Sequence, residues 1–295
     1  MIIKVWGTRG SIPTPSTSNF ITSRYGGNTT CLSVRCPGLI IILDGGSGLR
    51  PLGLDLAREM PIRAHFFFSH VHWDHIQGFP FFIPAFVAGN EFDLYGPTLD
   101  QREGFVAGIL EKALRGQQED LNFPVALSDM PAVMRFHDLS PGAEITIRGD
   151  GATVTVKSGI LNHPGGCFGY RLEEKTKKGV RTFAFATDTE HPKKGVNPNL
   201  QKLACGADCL YYDAQYTDDE YEGRTGMSRV GWGHSTWTHG IEEARKAGVK
   251  RLLLGHHDPL HDDSAVALIE NAARKAGLRK GIEVDAAYEG MEIEL

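Results

Sequence analysis

The segment Ser69-His70-Val71-His72-Trp73-Asp74-His75 constrains this chain more than any other. It follows the apolar run Phe66-Phe67-Phe68 and places three imidazoles and a carboxylate within six residues. Desolvating so many ionisable groups together is costly unless a cation compensates. If Ala64 to Phe68 is a buried strand, His70 and His72 leave the sheet on the same side of the extended chain, and Asp74 and His75 fall on the turn beyond. One short loop can then feed two adjacent ions. An N/O ligand set of this kind suits two Zn2+, with Mn2+ or Fe2+ as alternatives.

Strand-like segments recur in two groups. The first comprises Ile2 to Trp6, Cys31 to Arg35, Leu39 to Leu43, a helix over Leu49 to Met60, and Ala64 to Phe68. The second comprises Thr153 to Ser158, Phe168 to Leu172, Thr182 to Ala186 and Cys209 to Tyr212. It continues with a helix over His239 to Ala247 stopped by Gly248, the strand Arg251 to Leu254, and a helix over Asp263 to Ala276 stopped by Gly277. Each group ends its strands in ligand-type residues. Two mixed sheets packed face to face with helices outside bring those ends to one edge, which predicts an α/β (α+β) chain of four-layered αββα architecture, one domain over 1–295. Pro97 to Leu139 is the least regular stretch; it is expected to form a flap, with a helix near Gln101 to Arg115.

Polar residues just past apolar strands are the candidates for the rest of the site: His163, Asp188, and His256 or its neighbour His257. Gly165-Gly166 and Gly255 beside them permit close backbone approach. With the loop they complete two coordination spheres, one of His70, His72 and His163, the other of Asp74, His75 and His256, with Asp188 bridging. A water or hydroxide between the ions fills the open position expected of catalytic sites.

Net charge of −5 argues against a general nucleic-acid coat. The dense basic run of Lys175, Lys177, Lys178 and Arg181 surrounds Gly179 between two strands and reads as a solvated hairpin tip. No run approaches the roughly 20 apolar residues of a membrane span, and Met1 to Trp6 reads as a first strand and not as a signal peptide, so the expected location is the cytoplasm. Five cysteines without a regular framework predict reduced thiols. Cys205 and Cys209 could clasp a further metal, but buried packing at a helix-to-strand junction accounts for them more simply.

His70-x-His72-x-Asp74-His75, followed by His163, Asp188 and His256, resembles the metallo-β-lactamase-fold hydrolase superfamily from near residue 1 to about residue 262. Further segments are similar to its ribonuclease Z and cyclic-phosphodiesterase branch: Gly7-Thr8, Gly26-Gly27-Asn28-Thr29, Leu43-Asp44-Gly45-Gly46, Asp74 to Pro80, His163-Pro164 with Cys167 to Tyr170, Thr187-Asp188-Thr189 and Gly233-His234-Ser235-Thr236. The resemblance implies a metallo-β-lactamase-like sandwich, two divalent ions, and a histidine of the Gly-His-Ser-Thr element paired with an acidic residue after a strand. Here these are His234 and Asp213, with Asp where that branch usually has Glu. It also favours His256 over His257, because Leu252-Leu253-Leu254-Gly255 leads into it as the family's strand leads into its last ligand. His257, Asp258 and His261 are then candidates for orienting it.

The chemistry follows from the parts. Two cations bind a phosphodiester's non-bridging oxygen, lower the pKa of a bridging water and offset charge on the phosphoryl oxygens. They supply no proton to the leaving alkoxide, which a histidine oriented by a carboxylate can do. The expected catalytic groups are therefore Asp74, Asp213 and His234. The same segment can begin the next helix, with Ser235, Thr236 or Thr238 as N-cap, and the two roles can coexist. Transfer-RNA-processing relatives carry a projecting arm between the third histidine and the bridging aspartate. The 25 positions from His163 to Asp188 hold two strands and a basic turn, with no room for it. The expected partner is a small phosphodiester such as a cyclic nucleotide, cyclic phosphate or dinucleotide, with no membrane and no extended nucleic-acid surface, and with a homodimer left open. Phe79, Phe81, Phe82 and Phe86 either stack on a base or pack the core. The rivals are a non-phosphate hydrolase of the same fold acting on a lactone, thioester or β-lactam, and an RNA-processing nuclease lacking the arm.

Overall fold

Alternating and fully apolar runs carry the chain into two seven-stranded sheets. The structure, a computed structural model, describes residues 1–100, 104–177 and 179–295. Its strands begin with β1 (Ile2–Gly7), β2 (Cys31–Cys36), β3 (Leu39–Leu43), β4 (Arg63–Phe67), β5 (Glu91–Pro97), the short pair β6 (Leu99–Asp100) and β7 (Gly104–Phe105), and β8 (Val133–Leu139). They continue with β9 (Glu144–Arg148), β10 (Thr153–Leu161), β11 (Cys167–Thr176), β12 (Gly179–Ala186), β13 (Cys209–Asp213), β14 (Arg251–Gly255), β15 (Glu283–Ala286) and β16 (Glu292–Glu294). One sheet has the order β16-β1-β2-β3-β4-β5-β8 and the other β15-β14-β13-β12-β11-β10-β9. Both are mixed: β3, β4, β5 and β8 run parallel in the first, and β12 to β15 in the second. Open parallel strands present ligand-binding residues at their carboxyl ends.

A continuous apolar cluster fills the space between the sheets, with Val5, Leu32, Ile41 and Phe67 from one and Val154, Phe168, Phe183 and Leu253 from the other, all at most 1% exposed. The helices are α1 (Leu49–Leu56), α2 (Trp73–Ile76), α3 (Ile109–Gln117), α4 (Pro198–Ala204), α5 (Asp218–Glu222), α6 (Trp237–Ala247) and α7 (Asp263–Leu278); α1 and α3 cover the outer face of the first sheet, and α4, α6 and α7 that of the second. This is the αββα order expected. Phe66 shows how the core supports the ligand loop: it is buried on β4 with Phe68, Phe79, Phe82 and Phe92 rings 5.4–6.0 Å away. Truncating such a side chain to alanine costs about 3–5 kcal/mol.

Several boundaries differ from the sequence expectation, each for a local reason. The first helix ends at Leu56 instead of Met60, and a proline at position 61 disfavours helical backbone at Met60. The last helix does not stop at Gly277 but passes through it; a Cβ there would lie 2.4 Å from Val284 Cγ2, so this glycine permits close packing on β15. Of the helix expected near Gln101 to Arg115, Gln101 to Glu103 lie outside the described residues, Gly104 and Phe105 are extended, and α3 starts at Ile109 after Gly108 at φ +73°. Val133 to Leu139 belongs to an edge strand paired with β5, not to the flap. Lys178 of the basic tip also lies outside the described residues. Phe79 and Phe82 are core residues, whereas Phe81 and Phe86, on two short 3-10 turns, are 54% and 38% exposed. All five cysteines are free, and buried packing describes Cys209 but not the exposed Cys205. Among the described residues no helix is long and apolar enough to cross a membrane.

Candidate metal centre

Strand ends deliver the site. β4 ends at Phe67, Phe68 still bonds across to Tyr95, and His70 emerges two residues later, while His72 caps α2 (Trp73–Ile76), whose single turn carries Asp74 and His75. His163 follows β10, Asp188 follows β12, Asp213 closes β13 and His256 follows β14. The parallel register Ala186 to Tyr212 and Asp213 to Gly255 sets the last three side by side.

Asp188 lies at the centre. Its Oδ1 is 3.1 Å from His256 Nε2 and 3.2 Å from His75 Nε2, while its Oδ2 is 3.6 Å from His70 Nε2 and 3.7 Å from His163 Nε2. Asp74 Oδ2 stands 3.2 Å from His75 Nε2 and 3.4 Å from His256 Nε2, and His163 Nε2 is 3.0 Å from His72 Nδ1. The ligand atoms of His70, His72 and His163 lie within 4.8 Å of one another, as do those of Asp74, His75 and His256. The structure thus brings all seven residues together in the two expected groups, with one oxygen of Asp188 turned to each.

The donor set fits two divalent cations. Nε2 of His70, His75 and His256 is buried without a hydrogen-bond partner, an arrangement that is costly unless a cation takes the lone pairs. The opposite nitrogens are held: His75 Nδ1 by Asp44 at 2.8 Å, His70 Nδ1 by Ser69 Oγ at 3.0 Å, His163 Nδ1 by the Gly233 carbonyl at 2.9 Å and His256 Nδ1 by Gln215 Oε1 at 3.0 Å. Such contacts fix the ring orientation of metal-binding histidines. Burial holds His70 well below the ordinary imidazole range and brings His163 down to about 4, which keeps both neutral. At His75 burial acts in the same direction but is outweighed by Asp188, Asp74 and Asp44, which raise it.

Backbone conformation singles out the same place. The non-glycine residues at positive φ among those described are Ser11, Asp44, Asp188 and His256, and each belongs to this cluster. Ser11 N donates to Asp74 Oδ2 at 2.8 Å, and Asp44 accepts from both Ser69 N and Ser69 Oγ. Strain of this kind persists where the surrounding contacts over-determine it.

His234 Nδ1 lies 2.8 Å from Asp213 Oδ2, so the shorter aspartate closes the pair. Asp213 is fully buried and accepts from the amides of Thr189 and Gln215, both at 3.1 Å. Burial opposes a charge on His234, but Asp213, with Asp188 and Asp74 beyond it, raises its pKa to about 9. Thr236 accepts from His239 N as the N-cap of α6, so the helix-capping role and the pairing coexist. Beside His234 is a cleft of about 280 Å³ whose lining includes Tyr216, Arg229 and Trp232, with the Arg229 guanidinium 4.7 Å from the Trp232 ring centre.

The expected helpers of His256 are elsewhere. His257 Nε2 bonds to the Ala287 carbonyl, His261 to Glu220, and Asp258 accepts from Leu260 N. Gln215 orients His256 instead, and Asp44 orients His75. Neither role was read from the sequence, although Asp44 follows β3 in the same way that the ligand candidates follow their strands.

Residues 47–257 match the β-lactamase superfamily domain. The chain belongs to that superfamily. As a member with the metallo-β-lactamase fold it is a metal-dependent hydrolase, and the cluster around Asp188 is where this superfamily member would hold its ions. A ribonuclease Z of Lactiplantibacillus plantarum is 27% identical over 259 residues, 73% of this chain and 76% of the relative. YhfI of Bacillus subtilis, a metallo-β-lactamase fold protein, superposes with a TM-score of 0.66 at 17% identity, covering 99% of both chains. A diphosphatase of the PhnP family superposes with a TM-score of 0.65 at 16% identity, covering 100% of this chain and 97% of that one. These two structural likenesses concern the fold alone.

Proposed function

We propose that this superfamily member is a dinuclear metal-dependent phosphodiesterase acting on a small phosphodiester, such as a cyclic nucleotide, a cyclic phosphate or a dinucleotide. The observation that carries the reading is the 2.8 Å Asp213–His234 pair beside the ligand cluster. A hydrolase of lactones, thioesters or β-lactams has use for the seven ligands but not for this second pair. The name ribonuclease Z, carried by a relative similar in sequence, denotes phosphate-linkage chemistry and supports the same direction.

His70, His72 and His163 would hold one ion and Asp74, His75 and His256 the other, with Asp188 between them and zinc, manganese or iron as occupant. When bound, such ions supply Lewis acidity toward phosphoryl oxygens and bring the pKa of a water near neutrality. The side chains do the rest. Asp74 Oδ2, fixed by Ser11 N, is placed to accept a hydrogen bond from the attacking water. Asp213 takes the Nδ1 side of His234, which leaves Nε2 as the free donor for the oxygen that departs. The Thr189 and Gln215 amides keep Asp213 oriented toward that ring.

A small substrate is favoured over a folded RNA by three observations. The β11–β12 hairpin occupies the interval between His163 and Asp188, the net charge is −5, and the cleft at His234 measures about 280 Å³. The test is metal analysis with a screen on bis-p-nitrophenyl phosphate, cyclic nucleotides, lactones and thioesters. Two metal equivalents with turnover on the phosphodiesters are expected; faster hydrolysis of a lactone or thioester overturns the reading.

A further inference from the structure

Glu190 stands two residues after Asp188, and its carboxylate collects three donors from outside the sheets. Oε1 accepts from Gly231 N at 2.7 Å and from the Tyr221 hydroxyl at 2.6 Å, and Oε2 accepts from Gly233 N at 3.1 Å. Its backbone is fixed as well: Glu190 N donates to the Asn162 carbonyl at 2.7 Å, and the Glu190 carbonyl accepts from Asn162 Nδ2 at 3.1 Å. Asn162 precedes His163, and Gly233 precedes His234. One residue therefore joins the segments that carry a candidate ligand and the proposed acid, whose rings lie 5.1 Å apart.

Little else fixes the segment after α5. Arg224 to Trp232 is mostly exposed and adds nothing to the apolar clusters, and among the described residues its other hydrogen bonds run only to positions 219–229. Gly231 and Gly233 flank Trp232, so holding both amides fixes the turn that sets the indole in the wall of the His234 cleft. Hydrogen bonds to a carboxylate are roughly twice as strong as those to a neutral acceptor, which suits a single tether. Burial and the bond to Glu190 push the Tyr221 phenol up, so it remains a donor. On its other side the Gly233 peptide holds His163 Nδ1 through its carbonyl, so a shift at Glu190 reaches both histidines.

We infer that Glu190 is a positioning residue: through the amides of Gly231 and Gly233 it sets His234 against the ligand cluster and holds His163 in place. It makes no hydrogen bond to a candidate ligand side chain, and it belongs to neither apolar core. Its kinetic consequence rests on the phosphodiesterase reading; its structural consequence does not. Without the carboxylate, Asp213 still holds His234 Nδ1, but the backbone that carries the ring loses its attachment beside β12. A misplacement of about 1 Å at such a group can cost on the order of 10²-fold in rate.

The test compares the zinc-loaded full chain with Glu190→Ala and with Glu190→Gln, which keeps one acceptor oxygen. In Glu190→Ala, hydrogen exchange read by mass spectrometry should rise roughly tenfold at residues 229–235, as local opening of a freed loop requires, and stay at the wild-type level in β12 and β13. Zinc affinity should fall roughly 10-fold through the loosened His163. With zinc saturating, turnover of the cyclic nucleotide that the wild type cleaves fastest should fall roughly 10²-fold, and turnover of bis-p-nitrophenyl phosphate, whose leaving group needs no proton, far less. Glu190→Gln should lie between Glu190→Ala and the wild type in each measurement. Wild-type exchange at 229–235 in Glu190→Ala overturns the inference. Equal losses on the two substrates, in a protein whose His234→Ala variant separates them, overturn it too, because a purely structural group lowers both alike. Localised exchange and weakened zinc binding in a chain that cleaves neither substrate leave the positioning role standing and remove the phosphodiesterase reading; cleavage of both at wild-type rates by Glu190→Ala does the reverse.

Discussion

The Nδ1 proton of His163 goes to the backbone carbonyl of Gly233, 2.9 Å away, so a candidate ligand is held by the residue that precedes His234. This bond, like the Gln215 contacts to Asp213 and His256, ties the candidate ligand cluster to the proposed acid–base pair. Gly233 stands at φ +88°, and a Cβ there would fall 2.2 Å from Pro164 Cδ and 2.4 Å from His163 Nδ1.

Gly233→Ala should therefore displace both histidines at once. Displacements of about 1 Å can cost on the order of 10²-fold in rate. The expected outcome is a folded protein, by circular dichroism, with such a loss of turnover and weakened metal retention at the His70, His72 and His163 group. Unchanged metal content and turnover would show that the bond has no such role.

Asp188 faces both ligand groups, so Asp188→Ala should lose at least one metal equivalent and nearly all activity while the αββα fold persists. Metal analysis and circular dichroism on the same sample decide it. Full metal content would remove Asp188 from the site.

The contacts of the last histidines separate three variants. His256→Ala should lose metal from the Asp74 and His75 group. Gln215→Leu, which frees the far side of the His256 ring, should cost the roughly 10–100-fold in metal affinity typical of groups that orient a ligand. His257→Ala breaks only the bond to the Ala287 carbonyl and should lower stability while leaving metal affinity intact. A metal-affinity loss with His257→Ala larger than that with His256→Ala would reverse the register assigned here.

Glu220 supplies a pH dependence away from the ligands. Burial pushes its carboxyl up, but the His261 ring at 2.7 Å and the Thr217 backbone and hydroxyl overcome this and hold it at about 2, against an ordinary value of 4.5. A carboxylate lowered in this way stabilises the fold above pH 4.5, and the contribution fades as the pH falls toward 2. About a third of the side chain is exposed, so the contribution is about 1–2 kcal/mol after screening. Denaturation of Glu220→Gln against the wild type should show that difference at pH 6 and little at pH 2.5; a difference constant across that range would contradict it.

How far the site could be read from the chain depended on whether a residue acts through its own strand or through a neighbour's. His163, Asp188, Asp213 and His256 each leave an apolar strand, which is a local pattern; the structure sets the last three at the ends of parallel strands β12, β13 and β14 and brings His163 to them from the antiparallel β10. Asp44 and Gln215 orient ligands contributed by other segments, and no local pattern reports such contacts. The edge strand β8 was missed because most of its side chains are partly or fully exposed, leaving little alternation to read.

The central claim is that His234 serves the leaving group of a phosphodiester, and leaving-group dependence tests it most directly. His234→Ala should keep both metals and lose roughly 10²–10⁴-fold on an alkyl phosphodiester, the usual scale for positioned acid catalysis. The loss should be far smaller with p-nitrophenolate, which departs without a proton, and Asp213→Asn should give a milder version of the same pattern. Equal losses on the two leaving groups would contradict the account and leave His234 as a binding or structural residue.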